Sequence, residues 1–204
     1  GDLNLPRALF TEKAFPENEA VLTTSIDRGP MSGLGNVFLY EHRMGARAQF
    51  EASVPVAVES IAGTWVRGLG DVAVAMKHAL FHSRERGGIV SGGVEAILPT
   101  GSEEHGLGRG VTIVEPFLAF GQILPSDGFL QVHTGLEFPT NTAKSAREVF
   151  VRTAVGKSFM EGRWGRSWSP MVELLAIHEF AIGEPTMLDV VPQVQVTLSR
   201  RQHL

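Results

Sequence analysis

The chain has 204 residues and a formal net charge of -4, and its 18 Lys and Arg residues form no basic run, which argues against nucleic-acid binding. It contains no cysteine, which excludes disulfides, thiolate zinc sites, iron–sulfur clusters and covalently attached haem. No apolar run reaches the roughly 18 residues of a transmembrane helix. The opening residues lack the basic and apolar segments of a signal peptide, which an exported protein loses on maturation.

The N-terminal stretch is expected to precede the main domain. Pro6 and Pro16 interrupt it, and its short apolar patch, Ala8-Leu9-Phe10, has room for one helical turn. We therefore predict a leader over residues 1–18 and a single β-domain over residues 19–204.

Beyond the leader, apolar and polar residues alternate with a period of two, in segments of roughly ten residues separated by turn residues. In the clearest segment, residues 128–138, Leu130 and Val132 share one face. Gln131 and His133 share the other, because successive side chains of a strand point to opposite sides. The pattern predicts about ten strands, near residues 20–28, 35–43, 46–58, 70–81, 88–98, 111–123, 128–138, 147–160, 167–181 and 187–199.

The predicted connections alternate between short and long. Tight turns are expected at Gly45 and at residues 83–87, 125–127 and 161–165, and longer links at residues 28–35, 60–68, 100–110 and 140–146. Outer-membrane barrels combine short periplasmic turns with longer external loops. The sequence therefore predicts an all-β, antiparallel, up-and-down transmembrane β-barrel.

In a membrane barrel the apolar face points to lipid and the polar face to the lumen. This assignment predicts the following lumen-facing residues: Arg47, Glu51, Lys77, Glu95, His133, Glu137, Glu148, Arg152, Glu173 and Asp189. Their charges serve either as salt-bridged filler of a narrow lumen or as an acidic water path that favours cations. Glu137, His133 and Arg152 are the predicted permeation path.

A soluble, lipocalin-like barrel would reverse the faces and place the apolar side around a ligand. Two features favour the membrane instead. About ten strands, each near the length that crosses a bilayer, exceed the usual eight of such soluble barrels. The polar faces are also rich in Gly and Ala and poor in Lys.

No motif with a chemical role is found in the sequence. His78 and His82 have the i, i+4 spacing of a helical zinc site but fall on a predicted strand, and Glu103-Glu104-His105 is typical of a polar loop. Residues 106–110 lack the Lys and Ser/Thr of a phosphate-binding loop, and no G-x-S-x-G segment marks a nucleophile. We therefore expect no catalytic residues, no metal and no cofactor.

Four short motifs carry a family resemblance. Gly68-Leu69-Gly70-Asp71 opens one predicted strand, and Leu98-Pro99-Thr100-Gly101 closes the next. A glycine-rich loop then leads into Val111, and Leu136-Glu137-Phe138-Pro139 follows. Over residues 65–200 the chain resembles the bacterial outer-membrane family labelled "MetA-pathway of phenol degradation", whose members are also described as outer-membrane transporters.

The resemblance implies a single-chain antiparallel barrel in the outer membrane of Gram-negative bacteria, which passes small, often aromatic, compounds. It supplies no catalytic residues. It also implies a further hairpin beyond residues 201–204, which would bring the barrel to about twelve strands. By that comparison the domain over residues 19–204 lacks its last hairpin.

The sequence thus predicts a porin-like channel or transporter for small aromatic or hydrophobic compounds, embedded in outer-membrane lipid. Two alternatives stay open at this point. One is a structural barrel within a larger cell-envelope assembly, with other envelope proteins or a separate redox protein as partners. The other is a soluble periplasmic barrel that binds an apolar ligand.

Overall fold

The structure, a computed structural model, describes residues 5–27, 32–61, 63–161 and 166–197. The strands are β1 (Glu19–Asp27), β2 (Gly33–Met44), β3 (Ala48–Ile61), β4 (Thr64–Leu69), β5 (Val72–Ser83), β6 (Gly88–Leu98), β7 (Ile113–Leu124), β8 (Gly128–Pro139), β9 (Glu148–Lys157), β10 (Phe159–Glu161), β11 (Arg166–Glu179) and β12 (Met187–Thr197). One 3-10 turn, Pro125–Asp127, joins β7 to β8. No helix within the described ranges is long and apolar enough to cross a membrane.

The strands pair antiparallel in one sheet that follows chain order. Two positions in the sheet are each occupied by two consecutive strand segments. The segments β4 and β5 both pair with β3, and the segments β9 and β10 both pair with β11. With each such pair of segments counted once, the fold is an all-β, up-and-down antiparallel sheet of ten strands that curls into a half-barrel. The predicted fold class and strand number are confirmed, whereas membrane insertion and a barrel of about twelve strands stay predictions.

Short and long connections lie at opposite ends of the sheet, because consecutive strands run in opposite directions. The tight turns are residues 45–47, 84–87 and 125–127, and the longer links are residues 99–112, 140–147 and 180–186. We call these the short-turn end and the long-loop end.

One predicted connection is wrong. Instead of a long link at residues 60–68, β3 continues to Ile61 and pairs in register with β4, so that Ile61 lies opposite Thr64. The alternating pattern is weak there because β4 presents Arg67 and Gly68 within six residues. Of the predicted links at residues 28–35 and 161–165, residues 28–31 and 162–165 lie outside the described residues, and residues 33–35 belong to β2.

The two faces of the sheet differ in polarity. Along β8, Phe129, Gln131 and His133 are buried, whereas the alternating residues Leu136 and Phe138 are exposed. The same exposed, apolar, convex face continues around the sheet with Leu22, Phe38, Val56, Met76, Leu80, Val94, Leu118, Val155, Leu174, Val190 and Val194. The polar residues therefore line the concave side, which we call the interior.

The acidic side chains of the strands, where the structure describes them, lie on the concave face. Residues that are paired directly opposite one another point to the same face of the sheet, and side chains alternate between faces along each strand. By these two criteria, the following Asp and Glu residues point to the concave face: Glu19, Asp27, Glu41, Glu51, Glu59, Glu95, Glu115, Glu137, Glu148, Glu173, Glu179 and Asp189. Among the strand side chains that the structure describes, the charged ones on the convex face are Arg67 and Lys157, which both lie near a strand end.

Three interior phenylalanines explain three of the glycines of the polar face. Phe117 lies opposite Gly93, Phe150 opposite Gly135 and Phe129 opposite Gly156 in the strand register. A Cβ atom at each of these glycines would lie 2.3, 2.6 and 2.6 Å from the ring that faces it. The rings thus extend over the neighbouring strand and cover an otherwise bare glycine backbone.

The leader runs through the interior. Its described part, residues 5–18, forms no helix. Leu5 and Ala8 join a buried cluster with Phe129, Ala154 and Met171. Further along, Ala14 packs among Ala79, Ile89 and Ala119. We call residues 5–18 the plug.

Candidate functional site

Glu173 anchors the first half of the plug. Its carboxylate accepts hydrogen bonds from the backbone N–H groups of Leu9, Phe10 and Thr11, at 3.1, 3.1 and 2.7 Å. Gln193 on the neighbouring strand donates a further bond of 2.6 Å. Glu173 is fully buried, and a buried carboxylate is tolerated only when its oxygens are satisfied in this way.

The rest of the plug backbone is also bound by side chains of the wall. Oxygens of Gln195 and Gln49 accept the N–H groups of Arg7 and Glu17, while Gln131, Ser91, Lys77 and Arg152 donate to the carbonyls of Pro6, Ala14, Lys13 and Phe10. Strands β3, β5, β6, β8, β9, β11 and β12 all contribute. Because the plug pairs with no strand, these side chains satisfy the backbone polar groups that its burial removes from water.

Ion pairs fix the charged side chains of the plug. Glu12 pairs with Lys77, and Arg7 pairs with both Glu41 and Glu19. Burial alone opposes the charged form of Arg7, but Glu41, Glu12 and Glu19 outweigh it and raise the pKa of Arg7 above its ordinary value. Burial likewise opposes ionisation of Glu12, yet Lys77 and Arg7 lower the pKa of Glu12 below its ordinary 4.5. Both groups are therefore held in their charged forms.

Two trios of carboxylates in the described residues have the spacing of a cation site; the second, Glu17, Glu19 and Glu41, is neutralised by Lys13 and Arg7. In the first, carboxylate oxygens of Glu12, Glu41 and Glu51 all lie within 4.8 Å of one another. Hard cations favour such oxygen donors, but Lys77 and Arg7 already neutralise two of the three. Both trios are thus part of the ion-pair network that holds the plug.

His133 lies between two of the interior rings. Its imidazole makes edge-to-face contacts with Phe117 and Phe150, with centroids 5.2 and 4.8 Å apart. The N–H of Glu12 approaches its Nδ1 at 3.4 Å, while its buried Nε2 has no partner among the described residues. Arg152 stacks over Phe150, with the guanidinium 4.2 Å from the ring centroid.

Towards the long-loop end, a folded loop reaches over the interior. Asp71 accepts hydrogen bonds from the N–H groups of Gly101 and Arg109, at 2.9 and 2.7 Å. The Arg109 guanidinium then pairs with Glu137 at 2.5 Å and lies 3.9 Å from Glu148. The four motifs of the family resemblance, residues 68–71, 98–101, 106–110 and 136–139, therefore meet in one corner of the fold.

The structure places most of the lumen candidates on the concave face. Those in the interior are Glu51, Lys77, Glu95, His133, Glu137, Glu148, Arg152 and Glu173. Arg47 is a correction, because it lies exposed in the tight turn before β3 rather than within a strand. Asp189 shares the face of Gln193 but is exposed near the start of β12, so it lines no enclosed part of the interior.

Sequence reasoning missed several interior groups. Glu41, Gln49 and Glu115 are buried at 1%, 1% and 6% exposure, and none was among the predicted lumen-facing residues, although the alternation of residues 46–58 already places Gln49 on the polar face. Period-two alternation through Glu95 could have found Glu115 once the register was known. The charges of the plug, such as Arg7, carry no such signal because the plug has no periodicity.

Comparisons with family models and with curated proteins give no match for this chain. The resemblance to the "MetA-pathway of phenol degradation" family therefore stays a prediction that rests on the four motifs. What is known of the interior comes from its geometry: a polar, acidic wall, a plug bound through its backbone, and a loop arginine at the long-loop end.

Proposed function

We propose that this chain forms the wall and the plug of a channel or transporter for small solutes in the bacterial outer membrane, and that it has no enzymatic activity. The observation that carries the proposal is the separation of charge between the two faces. The convex face is a continuous belt of exposed Leu, Val, Phe and Met, and the described strand carboxylates all lie on the concave face. Soluble monomers rarely expose apolar patches of more than a few hundred Å².

Strand length supports the same proposal. β2, β5, β7 and β8 each have 12 residues, and β3 and β11 each have 14. A tilted strand crosses the hydrocarbon core of a bilayer with about 9–11 residues. Each of these strands is long enough to span the membrane, with its ends in the interfacial regions.

The interior determines what kind of membrane protein is proposed. Its wall is polar, and the plug fills the part near the short turns, as in outer-membrane barrels whose lumen is closed by a segment of the chain. Aromatic compounds as solutes are supported by the family resemblance alone. The interior rings Phe117, Phe129 and Phe150 are buried against glycines and line no open cavity in the described part of the chain.

Two neighbouring residues of β6 test the orientation of the faces. Val94 is 49% exposed on the convex side, and Glu95 faces the interior opposite Glu115. Val94→Arg should cost roughly 2–4 kcal/mol because it places a charge in lipid, whereas Glu95→Arg places the same side chain among carboxylates. The protein is expressed with a signal peptide, and the fraction of each variant that migrates faster unboiled than boiled is measured in isolated outer membranes.

We expect the wild type and Glu95→Arg in the outer membrane as heat-modifiable species, and Val94→Arg largely unfolded or absent. An equal loss of heat-modifiable protein from the outer membrane in both variants would overturn the proposal, and so would a wild-type protein that is soluble without detergent.

One observation favours a second candidate, a structural barrel within an envelope assembly. In the described residues β1 pairs with β2 alone and β12 with β11 alone, and an unpaired edge offers backbone donors and acceptors to another chain. Since the chain has no cysteine, Thr23→Cys or Val191→Cys places a single benzophenone-maleimide label at one edge. A photo-crosslinked envelope protein at either edge supports the assembly, and the lack of any adduct at both edges counts against it.

A further inference from the structure

Glutamates form a continuous cross-strand row on the interior wall. The strand register places the following residues side by side: Glu19, Glu41, Glu51, Ala75, Glu95, Glu115, Glu137, Glu148 and Glu179. Glu115 is opposite Glu137 because the flanking pairs, Val114 with Phe138 and Phe117 with Gly135, share one register. Glutamate thus occupies every position except the one on β5. We call these residues the glutamate row.

The glutamate row extends from one end of the sheet to the other. Glu19 is the first residue of β1, and its partner Glu41 lies just before the tight turn at residues 45–47. Glu148 begins β9 and Glu179 ends β11, both at the long-loop end. Because the strands of a barrel are tilted and staggered, a row perpendicular to the strands runs obliquely from the short-turn end to the long-loop end.

Like charges directly opposite each other on neighbouring strands are destabilising, so such a row requires counter-charges. The chain provides them at both ends. Arg7 of the plug binds Glu19 and Glu41, and Arg109 of the long loop binds Glu137 and lies near Glu148. Both guanidiniums come from segments outside the strands, so the wall binds cations that are not part of it.

The middle of the row has no such partner. Within the described ranges, Glu51, Glu95 and Glu115 make no ion pair with Lys or Arg, and Glu115 makes no hydrogen bond although its side chain is only 6% exposed. Gln49, at 3.4 Å, is the described hydrogen-bond donor to Glu51. Three interior carboxylates, one of them more than nine-tenths buried, therefore stand between two positions that bind guanidinium groups.

We propose that the glutamate row is a cation path and that the solutes of this protein are small cations, bearing an ammonium or guanidinium group or an inorganic charge. The inference rests on the proposed membrane function and adds its charge selectivity. Rings of Asp and Glu side chains make channels selective for cations. Arg7 and Arg109 act as tethered counter-ions, which an incoming cation displaces in turn.

The test is the reversal potential of the purified full-length protein in planar bilayers under a KCl gradient. The probe variant is E51Q/E95Q/E115Q, and the control E85Q/E104Q/E184Q removes the same charge from exposed turns and loops. An Arg7→Gln variant loosens the plug if the wild type conducts too little. We expect the reversal potentials of the wild type and the control to indicate cation selectivity. The reversal potential of the probe variant should lie less than half as far from zero as that of the wild type.

The outcomes separate the two proposals. A conducting protein without cation selectivity, or a probe variant as selective as its control, overturns the cation path and leaves the membrane channel standing. Bilayers that stay silent with the wild type and with Arg7→Gln overturn both.

Discussion

Glu173 shows how much one side chain can organise in this protein. A single carboxylate, fully buried, holds three consecutive backbone amides of a segment that has no secondary structure of its own. Its position in the interior could be predicted from the alternation of β11. Its hydrogen-bond partners could not be predicted, because every residue except proline has a backbone N–H group and the residue pattern does not show which of them bind a distant carboxylate.

Removing this carboxylate should release the plug without unfolding the sheet. Glu173→Ala leaves three N–H groups, of which that of Thr11 is buried, without their acceptor, and hydrogen bonds to a charged group contribute about 1.5–3 kcal/mol each. We expect amide hydrogen exchange of residues 5–18 to accelerate on the order of a hundredfold, while heat-modifiable migration persists. Glu59→Ala is the control, because Glu59 lies on the same face and contacts no plug atom among the described bonds. Unchanged exchange in Glu173→Ala would show that the anchor is unimportant.

The contact between Phe117 and Gly93 gives a second prediction for single residues. A methyl group at Gly93 would lie 2.3 Å from Cζ of Phe117 and 2.7 Å from the Met76 carbonyl. Gly93→Ala should therefore destabilise the fold by roughly 1–3 kcal/mol, as other overpacked sites do. Gly92→Ala, on the convex face of the same strand, meets the side chains of Leu80 and Leu118 at 3.2 and 3.4 Å and the Phe117 carbonyl oxygen at 3.8 Å, and it should be close to neutral. Urea unfolding in detergent micelles measures both, and equal stability of the two variants contradicts the packing described.

At the scale of elements, the plug differs from the strands in how it is held. The strands are fixed by ladder hydrogen bonds and by alternation, whereas the plug depends on charges and on side chains of the wall. Its docking should therefore respond to pH in a way that the sheet does not.

Glu12 is the plug carboxylate whose contribution to that response we predict. Its pKa is lowered in the folded protein because Lys77 and Arg7 outweigh the effect of burial. A group with a lowered pKa stabilises the docked state above its ordinary pKa, and this stabilisation is lost as the pH falls through the lowered value. Proteolysis of the plug should thus become faster as the pH drops below 4.5. Glu12→Gln should dock more weakly at neutral pH and respond less to acid. An identical pH profile in the variant would exclude Glu12 as the cause.

The period-two pattern predicted the positions of the strands well. A strand that buries one face needs alternating apolar and polar residues along its whole length, so the pattern marks both of its ends. Residues 128–138 and 187–199 were located within a few positions for this reason. The β3–β4 hairpin was missed because Arg67 and Gly68 interrupt the pattern. Arg47 was misplaced because extending the alternation backwards from Gln49 ignores the turn that begins at Gly45.

Across the whole molecule, the composition of the interior depends on strand register and on sheet curvature. Neither can be inferred from one segment of the sequence. The glutamates at 51, 95 and 137 were each predicted to face the lumen, yet their alignment into one row depends on the lengths of all the turns between them. The plug illustrates the same limit. Its place inside the sheet follows from contacts across the whole half-barrel, with residues more than a hundred positions apart.

The way the wall recognises the plug has an evolutionary consequence. Because the wall binds backbone atoms at most positions, the identity of many plug residues is under little constraint; Leu9 and Phe10, for example, are 50% and 47% exposed. Selection should act on the receiving side chains, such as Glu173 and Gln131, and on the paired plug residues Arg7 and Glu12, and leave the exposed plug positions free to vary. Relatives of this protein would then share the interior wall and these paired residues while the exposed positions of their plugs diverge.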